Sequence, residues 1–380
     1  MSDPARDPRL DGLMHEPSTD AAGDFSRLTR VARSREEMLA QAPAITRTLA
    51  ESAVACLDIA RRTKNVRRVV IAGCGDSWLA GLSVRLAWER LLGIPMEAAQ
   101  ALDYAGYAVE TADASTLVIG ISASGKTEAV IESLSRARAR GAMTVGVSNA
   151  PGAATMAACD AALVVHATRR GWPTQSSTAT MALLCRLASA IAAARGVLPA
   201  RTEQFDRDLA AVPELVEDVT AAADKPMREI AESFCRAEIL TFLGAGPHYG
   251  AAAIGAAKVR EFGPIHAQAM PLEEFHHYRL QKPGDHLFLL APDGASHARA
   301  LDAAMVGKAR AGHTVALLPR GEASIASHVE RAVFLPEIRA ELAPIVYSVP
   351  LHLFAYHFTQ ACEAAGIGYD SRFRFPAESA

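Results

Sequence analysis

The sequence predicts an α/β chain of two doubly wound, parallel-sheet domains in tandem, and three observations predict it. Short β-branched runs alternate with helical runs, glycines close the β runs, and the whole cycle occurs twice. VVIAGCG (69–75) aligns with LTFLGAG (240–246), and ARGAMTVGVS (139–148) aligns with ARAGHTVALLP (309–319), both at an offset of about 170 residues. That period is too long for a solenoid and marks one domain used twice. Strands that alternate with helices form parallel sheets covered on both faces. Ligands then bind at the carboxyl ends of the strands.

The elements follow in order. Residues 1–33 are rich in Asp, Pro and Arg without periodicity and read as a flexible tail. From Ser34 the pattern turns helical, with Met38, Ile45 and Leu49 leading into a run through Ile59. The first domain, 34–200, holds a strand at Val66–Ala72, closed by Gly73-Cys74-Gly75, and a helix at Leu79–Leu92. Strands at Thr116–Ile121, Met143–Val147 and Ala162–His166, a helix at Glu128–Arg140 and a long Ala/Leu helix at Ala179–Arg195 complete it. Residues 196–224 are more polar and contain two prolines, which places a linker with a bridging helix at 201–225. A second domain, 226–365, restarts the cycle at Glu238–Gly246, and 366–380 form a C-terminal tail.

Composition narrows the function. Of 380 residues, 39 are basic and 42 acidic, a balance that gives nucleic acid or an anionic membrane no electrostatic handle. No run of apolar residues is long enough and free enough of charge to span a bilayer, and the N-terminus has charges and prolines where a signal peptide needs an apolar core. The six cysteines are scattered without a CxxC and read as reduced thiols of a cytoplasmic protein.

Three glycine-rich loops compete as ligand sites. Gly120-Ile-Ser-Ala-Ser-Gly-Lys126-Thr127 satisfies the phosphate-loop pattern GxxxxGK[ST] between a strand and a helix. It follows the second strand of its domain rather than the first, and no later strand ends in the Asp that would hold magnesium. Gly73-Cys-Gly75-Asp-Ser-Trp78 has tryptophan where a dinucleotide fold needs a third glycine, and Gly244-Ala-Gly246-Pro-His-Tyr249-Gly250 is off by one. What the first-half loops share is hydroxyls: Ser77, then Ser122, Ser124 and Thr127, then Ser176, Ser177 and Thr178. A lone serine at a helix start is an N-cap. Three hydroxyls in six residues on one strand-to-helix turn make a phosphate site that needs no metal.

These loops carry a resemblance. Cys74-Gly75-Asp76-Ser77, Ser122-Ala123-Ser124-Gly125-Lys126-Thr127 and Ser177-Thr178 resemble the sugar-binding loops of tandem sugar isomerase (SIS) domains. The likeness is to the isomerase half of glucosamine-6-phosphate synthase and to its deaminase and deglycase relatives. It runs from about 34 to 360, is strongest over Gly255–Ala269 and Glu273–His277, and includes Arg35–Pro43 and Pro344–His357. It implies two flavodoxin-like domains, a substrate-binding set of Cys74, Gly75, Ser77, Ser122, Ala123, Ser124, Thr127 and Ser177, and no metal or cofactor. It further implies Glu261 as general base and His277 as ring-opening acid, the histidine supplied by a second subunit of a homodimer or higher homo-oligomer. Moving a proton between C1 and C2 of an open-chain sugar needs one carboxylate of raised pKa, and imidazole suits ring opening near neutrality. Lys258, one turn before Glu261, shares its helix face, where it either orients that carboxylate or forms an ordinary surface pair.

Departures from the family pattern limit the reading. The second half has Ala291-Pro-Asp-Gly294 in place of the hydroxyl loop, Ile254 stands where the synthases are acidic, and Lys126 replaces a glutamate. The tail Tyr369–Pro376 lacks the lysine that the synthases use, and Met1 is followed by Ser2 rather than a nucleophilic cysteine. The expectation is therefore a glutamine-independent amino-sugar phosphate isomerase/deaminase without a glutaminase domain. The alternatives are a fructosamine-type 6-phosphate deglycase, favoured if Arg372 and Arg374 face the pocket, and a non-catalytic phosphosugar-binding regulator.

Overall fold

The computed structural model describes residues 25–278, 281–291 and 294–367. Three helices lead in: α1 (Phe25–Leu39), α2 (Gln41–Glu51) and α3 (Ala53–Thr63). The first lobe then runs β1 (Arg68–Gly73), α4 (Asp76–Leu92), β2 (Met96–Gln100), β3 (Thr116–Ile121), α5 (Glu128–Ala139), β4 (Met143–Ser148), β5 (Ala161–Val164) and α6 (Gln175–Ala194). A bridging helix, α7 (Pro199–Phe234), carries the chain across. The second lobe comprises β6 (Ile239–Gly244), α8 (Pro247–Phe262), β7 (His266–Pro271), α9 (Leu272–Tyr278), β8 (His286–Leu290), α10 (His297–Ala309), β9 (His313–Pro319), β10 (Arg331–Leu335) and α11 (Ala343–Ala364).

Both sheets are wholly parallel and share one strand order. The first is β2-β1-β3-β4-β5 and the second, read the same way, β7-β6-β8-β9-β10. Chain direction reverses beside β1 and beside β6, so each lobe has a crevice at the carboxyl end of its central strand. Central strands are buried on both faces, as β3 is at every position, which is why they read as continuous apolar runs rather than alternating ones.

Several elements differ from the sequence expectation. The helix α1 starts at Phe25, inside the stretch assigned to the tail, while residues 1–24 and 368–380 lie outside the described residues. The linker at 201–225 is the interior of the 36-residue α7, which passes through Pro213 and Pro226. Its buried row, including Phe205, Leu209, Val212 and Val216, lies against both lobes' helices, and that packing outweighs the cost of two prolines. Strands β2, β7, β8 and β10 were not foreseen. The edge strand β2 reads MEAAQ, with neither β-branched residues nor a clean alternation.

The two lobes meet through α4 and α8, which cross with almost no space between them. A Cβ on Gly250 would lie 2.4 Å from the Ser83 hydroxyl and 2.7 Å from its Cα, so only glycine fits there. Eight residues further along α8, about 12 Å at the helical rise, Lys258 reaches Asp76 at the start of α4. The helices are therefore antiparallel, and their crossing carries α8 side chains to the first lobe's crevice. The helix α6 is long and apolar enough to cross a membrane by length and composition, and 78% of that window is buried within the protein.

Candidate active site

A cavity of about 170 Å³ sits at the carboxyl ends of β1 and β3. Three helices begin at it. The turn into α4 supplies Cys74, Gly75, Asp76 and Ser77; the turn into α5 supplies Ala123, Ser124 and Thr127; the first turns of α6 supply Ser176, Ser177 and Thr180. Helix N-termini carry partial positive charge and amide donors, so their convergence favours an anionic group. Gly75 adopts φ 54° and ψ −131°, a conformation open to glycine, and this reversal lets α4 start directly over the strand end.

The hydroxyl turn is internally braced. The Ser122 hydroxyl lies 2.8 Å from that of Thr127 and accepts from the Thr127 amide at 3.3 Å. Ser122 is only 2% exposed and does not line the cavity. It was expected to touch the ligand; it shapes the loop instead, while Ser124 and Thr127 present their side chains to the cavity. Lys126 is exposed and absent from the cavity wall. The helix α6 begins at Gln175, earlier than the apolar pattern suggested, and this puts Ser176 and Ser177 in its first turn. The Ser177 hydroxyl donates to Asp76 at 2.5 Å and that of Ser176 to Asn149 at 3.1 Å.

One wall depends on the leading helix. Buried Glu37 of α1 accepts from the Thr168 hydroxyl at 2.6 Å and from the Arg170 and Gly171 amides at 2.8 and 3.1 Å. Ser34 accepts from the Trp172 amide at 2.8 Å. A loop held at both ends in this way presents Arg169 and Pro173 to the cavity. Neither residue was singled out from the sequence, because the loop has no motif and is placed only by contacts more than 130 residues away.

The second lobe contributes Glu261. Its neighbour Lys258, read either as an orienting residue or as half of a surface pair, is completely buried. Lys258 Nζ donates to Glu261 Oε2 at 2.5 Å and pairs with Asp76 Oδ2 at 2.8 Å. One cation therefore sits between two carboxylates, one from each lobe. Burial by itself would lower the Lys258 pKa, but the two carboxylates outweigh it and hold the ammonium above its ordinary value. Burial raises the Glu261 carboxyl above its ordinary value; Lys258 pulls it down, Asp76 pushes it up again, and the raising influences win. A carboxylate so placed is a better proton acceptor than one in water. Asp76 was quoted within its motif but given no role, since nothing in the sequence indicates that α8 crosses α4.

His277 stands apart. It is on α9, its side chain is 67% exposed, and its nearest ionic neighbour is Glu273 at 3.6 Å. It does not line the cavity of its own chain. His276 lies 3.2 Å from the Arg299 carbonyl. Arg372 and Arg374 lie outside the described residues.

Two doubly wound lobes, a hydroxyl-lined crevice and partly buried carboxylates from both lobes about the buried Lys258 define a tandem α/β protein with one candidate site at its strand ends. The SIS domain model matches residues 64–190 and again 234–360, and the chain belongs to the SIS domain family. It is 32% identical over 306 residues to glutamine–fructose-6-phosphate aminotransferase (isomerizing) of Thermus thermophilus, covering 79% of this chain and 50% of that protein. The chain thus spans about half the length of the curated relatives it matches. Among solved structures, the C-terminal domain of the Francisella tularensis glucosamine-fructose-6-phosphate aminotransferase superposes with TM-score 0.76 at 22% identity, over 87% of this chain and 96% of that one. The Thermotoga maritima glucosamine-6-phosphate deaminase gives TM-score 0.68 at 20% identity, over 89% and 96%. At those identities the superpositions speak to the fold.

Proposed function

We propose that the first-lobe cavity binds an amino-sugar 6-phosphate and that the protein isomerises it with loss of nitrogen. The observation that carries this reading is the raised Glu261 carboxylate, paired to buried Lys258, in the wall of a cavity whose other side is the Ser124–Thr127 turn. The phosphate meets the amides and hydroxyls of that turn, and the carbon end of the sugar meets Glu261. In the open-chain 2-amino aldose, Glu261 takes the C2 proton, leaving an enaminolate whose charge the buried Lys258 ammonium offsets from behind Glu261 and whose oxygen takes a proton from the amino group as the imine forms. Returning the proton at C1 gives a ketose 2-imine. Water adds at C2, and ammonia leaves with formation of the ketose phosphate. Asp76, a second carboxylate on the wall, complements an ammonium-bearing substrate. His277 opens the ring from a second copy of the chain, in keeping with its exposure and its absence from its own cavity.

Arg169 favours a second reading. A cationic side chain on the same wall suits a substrate whose amine carries a carboxylate, as in a sugar–amino-acid 6-phosphate adduct. There the C1 proton is taken and returned at C2, and hydrolysis of the resulting C1 imine frees the amino acid. Incubation with glucosamine 6-phosphate and with a fructose–amino-acid 6-phosphate decides between them. Ammonia from the first supports the deaminase, amino acid from the second the deglycase. Binding of either without turnover makes the protein a phosphosugar sensor and overturns both.

A further inference from the structure

The second lobe carries its own crevice, of about 570 Å³, at the ends of β9 and β10. Five of its lining positions correspond to positions in the first cavity, while Asp208, Ala211 and Leu215 of α7 and Pro319 have no counterpart there. Arg169, Pro173, Ser176 and Thr180 of the first cavity correspond, each 167 residues later, to Pro336, Ala340, Ala343 and Tyr347 of the second. Ser77, two residues after the Gly75 reversal, corresponds to His248, two residues after Gly246, and the two glycines have the same φ of 54°. At these corresponding positions the second lobe carries apolar or aromatic side chains, except for His248, and its crevice is shifted toward β9, β10 and α7.

His248 is the second, independent observation. It is 1% exposed, lines the crevice, and neither of its ring nitrogens has a hydrogen-bond partner. Tyr347 packs edge-on against it at 4.6 Å between ring centroids. A buried imidazole with a donor and an acceptor both unmet is costly unless something in the crevice meets them. A hydroxyl does so, because it donates and accepts at once. The charged groups on the rim are Asp208, Glu337 and Arg339, and Arg339 is already engaged, by Asp208 at 3.0 Å and by Glu341 at 3.3 Å. The excess charge is therefore negative, which repels a phosphate and attracts an amine.

We infer that this crevice is a second small-molecule site, taking an unphosphorylated cyclic polyol that bears an amino group. Its apolar wall of Pro336, Ala340, Ala343 and Tyr347 covers the ring face, His248 holds a hydroxyl and Glu337 meets the ammonium. The inference stands apart from the reaction assigned to the first lobe.

Calorimetric titration of the full chain with D-glucosamine tests it, with glucosamine 6-phosphate as the parallel arm. Saturable binding of one glucosamine per chain is expected. His248→Leu should weaken it about tenfold or more, as loss of a buried hydrogen bond does, and leave glucosamine 6-phosphate binding unchanged. Glu337→Arg, at an exposed position where misfolding is no concern, should weaken it several-fold, roughly the effect of reversing one rim charge. Thr127→Val should leave it unchanged while weakening the phosphosugar. No saturable glucosamine binding, or binding lost with Thr127→Val and indifferent to both second-lobe variants, overturns the inference. Failure of the first-lobe reading would appear separately, as glucosamine 6-phosphate binding insensitive to Thr127→Val.

Discussion

The two lobes are one backbone carrying two chemistries. Each has a central strand ending in GxG, a glycine at φ 54° and a helix seated on the strand end: Gly73 and Gly244 would each place a Cβ within 2.8 Å of the following helix's backbone. Beyond that turn they diverge. The first lobe lines its crevice with Ser77, Ser124, Thr127, Ser176 and Ser177; the second presents His248 among prolines, alanines and a tyrosine. The second lobe nevertheless supplies the carboxylate to the first, through α8. The difference teaches that the fold dictates where a ligand sits, while the side chains on a few turns dictate what it is.

The sharpest way to break that division of labour is Glu261→Gln. If the second lobe provides the base, turnover should fall about a thousandfold, as expected for removal of a general base, with phosphosugar affinity nearly unchanged. Turnover at the original rate would return the whole reaction to the first lobe. The next effect is on stability. Burial lowers the pKa of both His248 and His352 from 6.5 to about 3, so the folded state keeps them neutral while the unfolded chain protonates below 6.5. Stability should therefore be constant above that value and fall as pH drops, by roughly 1.4 kcal/mol per pH unit for each histidine until the folded pKa is reached. Denaturant titrations between about pH 7 and about pH 4 read the upper part of this fall, and His352→Gln should shallow its slope.

Asp76→Asn probes the bond between the lobes. It removes a negative charge that raises Glu261 and leaves Lys258 to pair with Glu261 alone. The acidic limb of the pH–rate profile, expected above the ordinary carboxylate range, should move to lower pH, with kcat down about tenfold. An unmoved limb would separate Asp76 from the base. Thr127→Val should raise KM about tenfold through loss of one charge-assisted hydrogen bond, with a smaller change in kcat. Smallest of all is Lys126→Ala. An exposed side chain off the cavity wall should change kcat/KM by less than about twofold. A large loss there would revive the nucleotide reading that the GxxxxGKT pattern invites.

Much of the fold was legible because it is periodic. Apolar runs located β1, β3, β4, β5 and β6, with glycines closing β1 and β6, and the two-fold repeat located the second lobe. The edge strands β2 and β10 escaped because they are half-exposed and carry few pattern constraints. In the site, Ser77, Ser124, Thr127 and Ser177 were readable as hydroxyls grouped on turns, and Glu261 through its resemblance to a known motif. Ser122 was readable as a hydroxyl but not as a brace, since its partner Thr127 lies five residues away across a turn. Arg169 and Asp76 were not readable as site residues at all, for their roles depend on Glu37 and Lys258, which lie far away in the chain.

From the sequence alone, local chemistry determined which segments become strands and helices, where glycine must reverse the chain, and which turn carries hydroxyls enough for a phosphate. Only the tertiary structure decided that a lysine beside Glu261 is buried rather than solvated, that Asp76 completes its pairing, and that the second lobe has a crevice with an unsatisfied histidine. The physical reason is range. Propensity and periodicity act over a few residues, whereas desolvation and charge pairing are set by whichever segments the packing of α4 on α8 brings within a few ångströms.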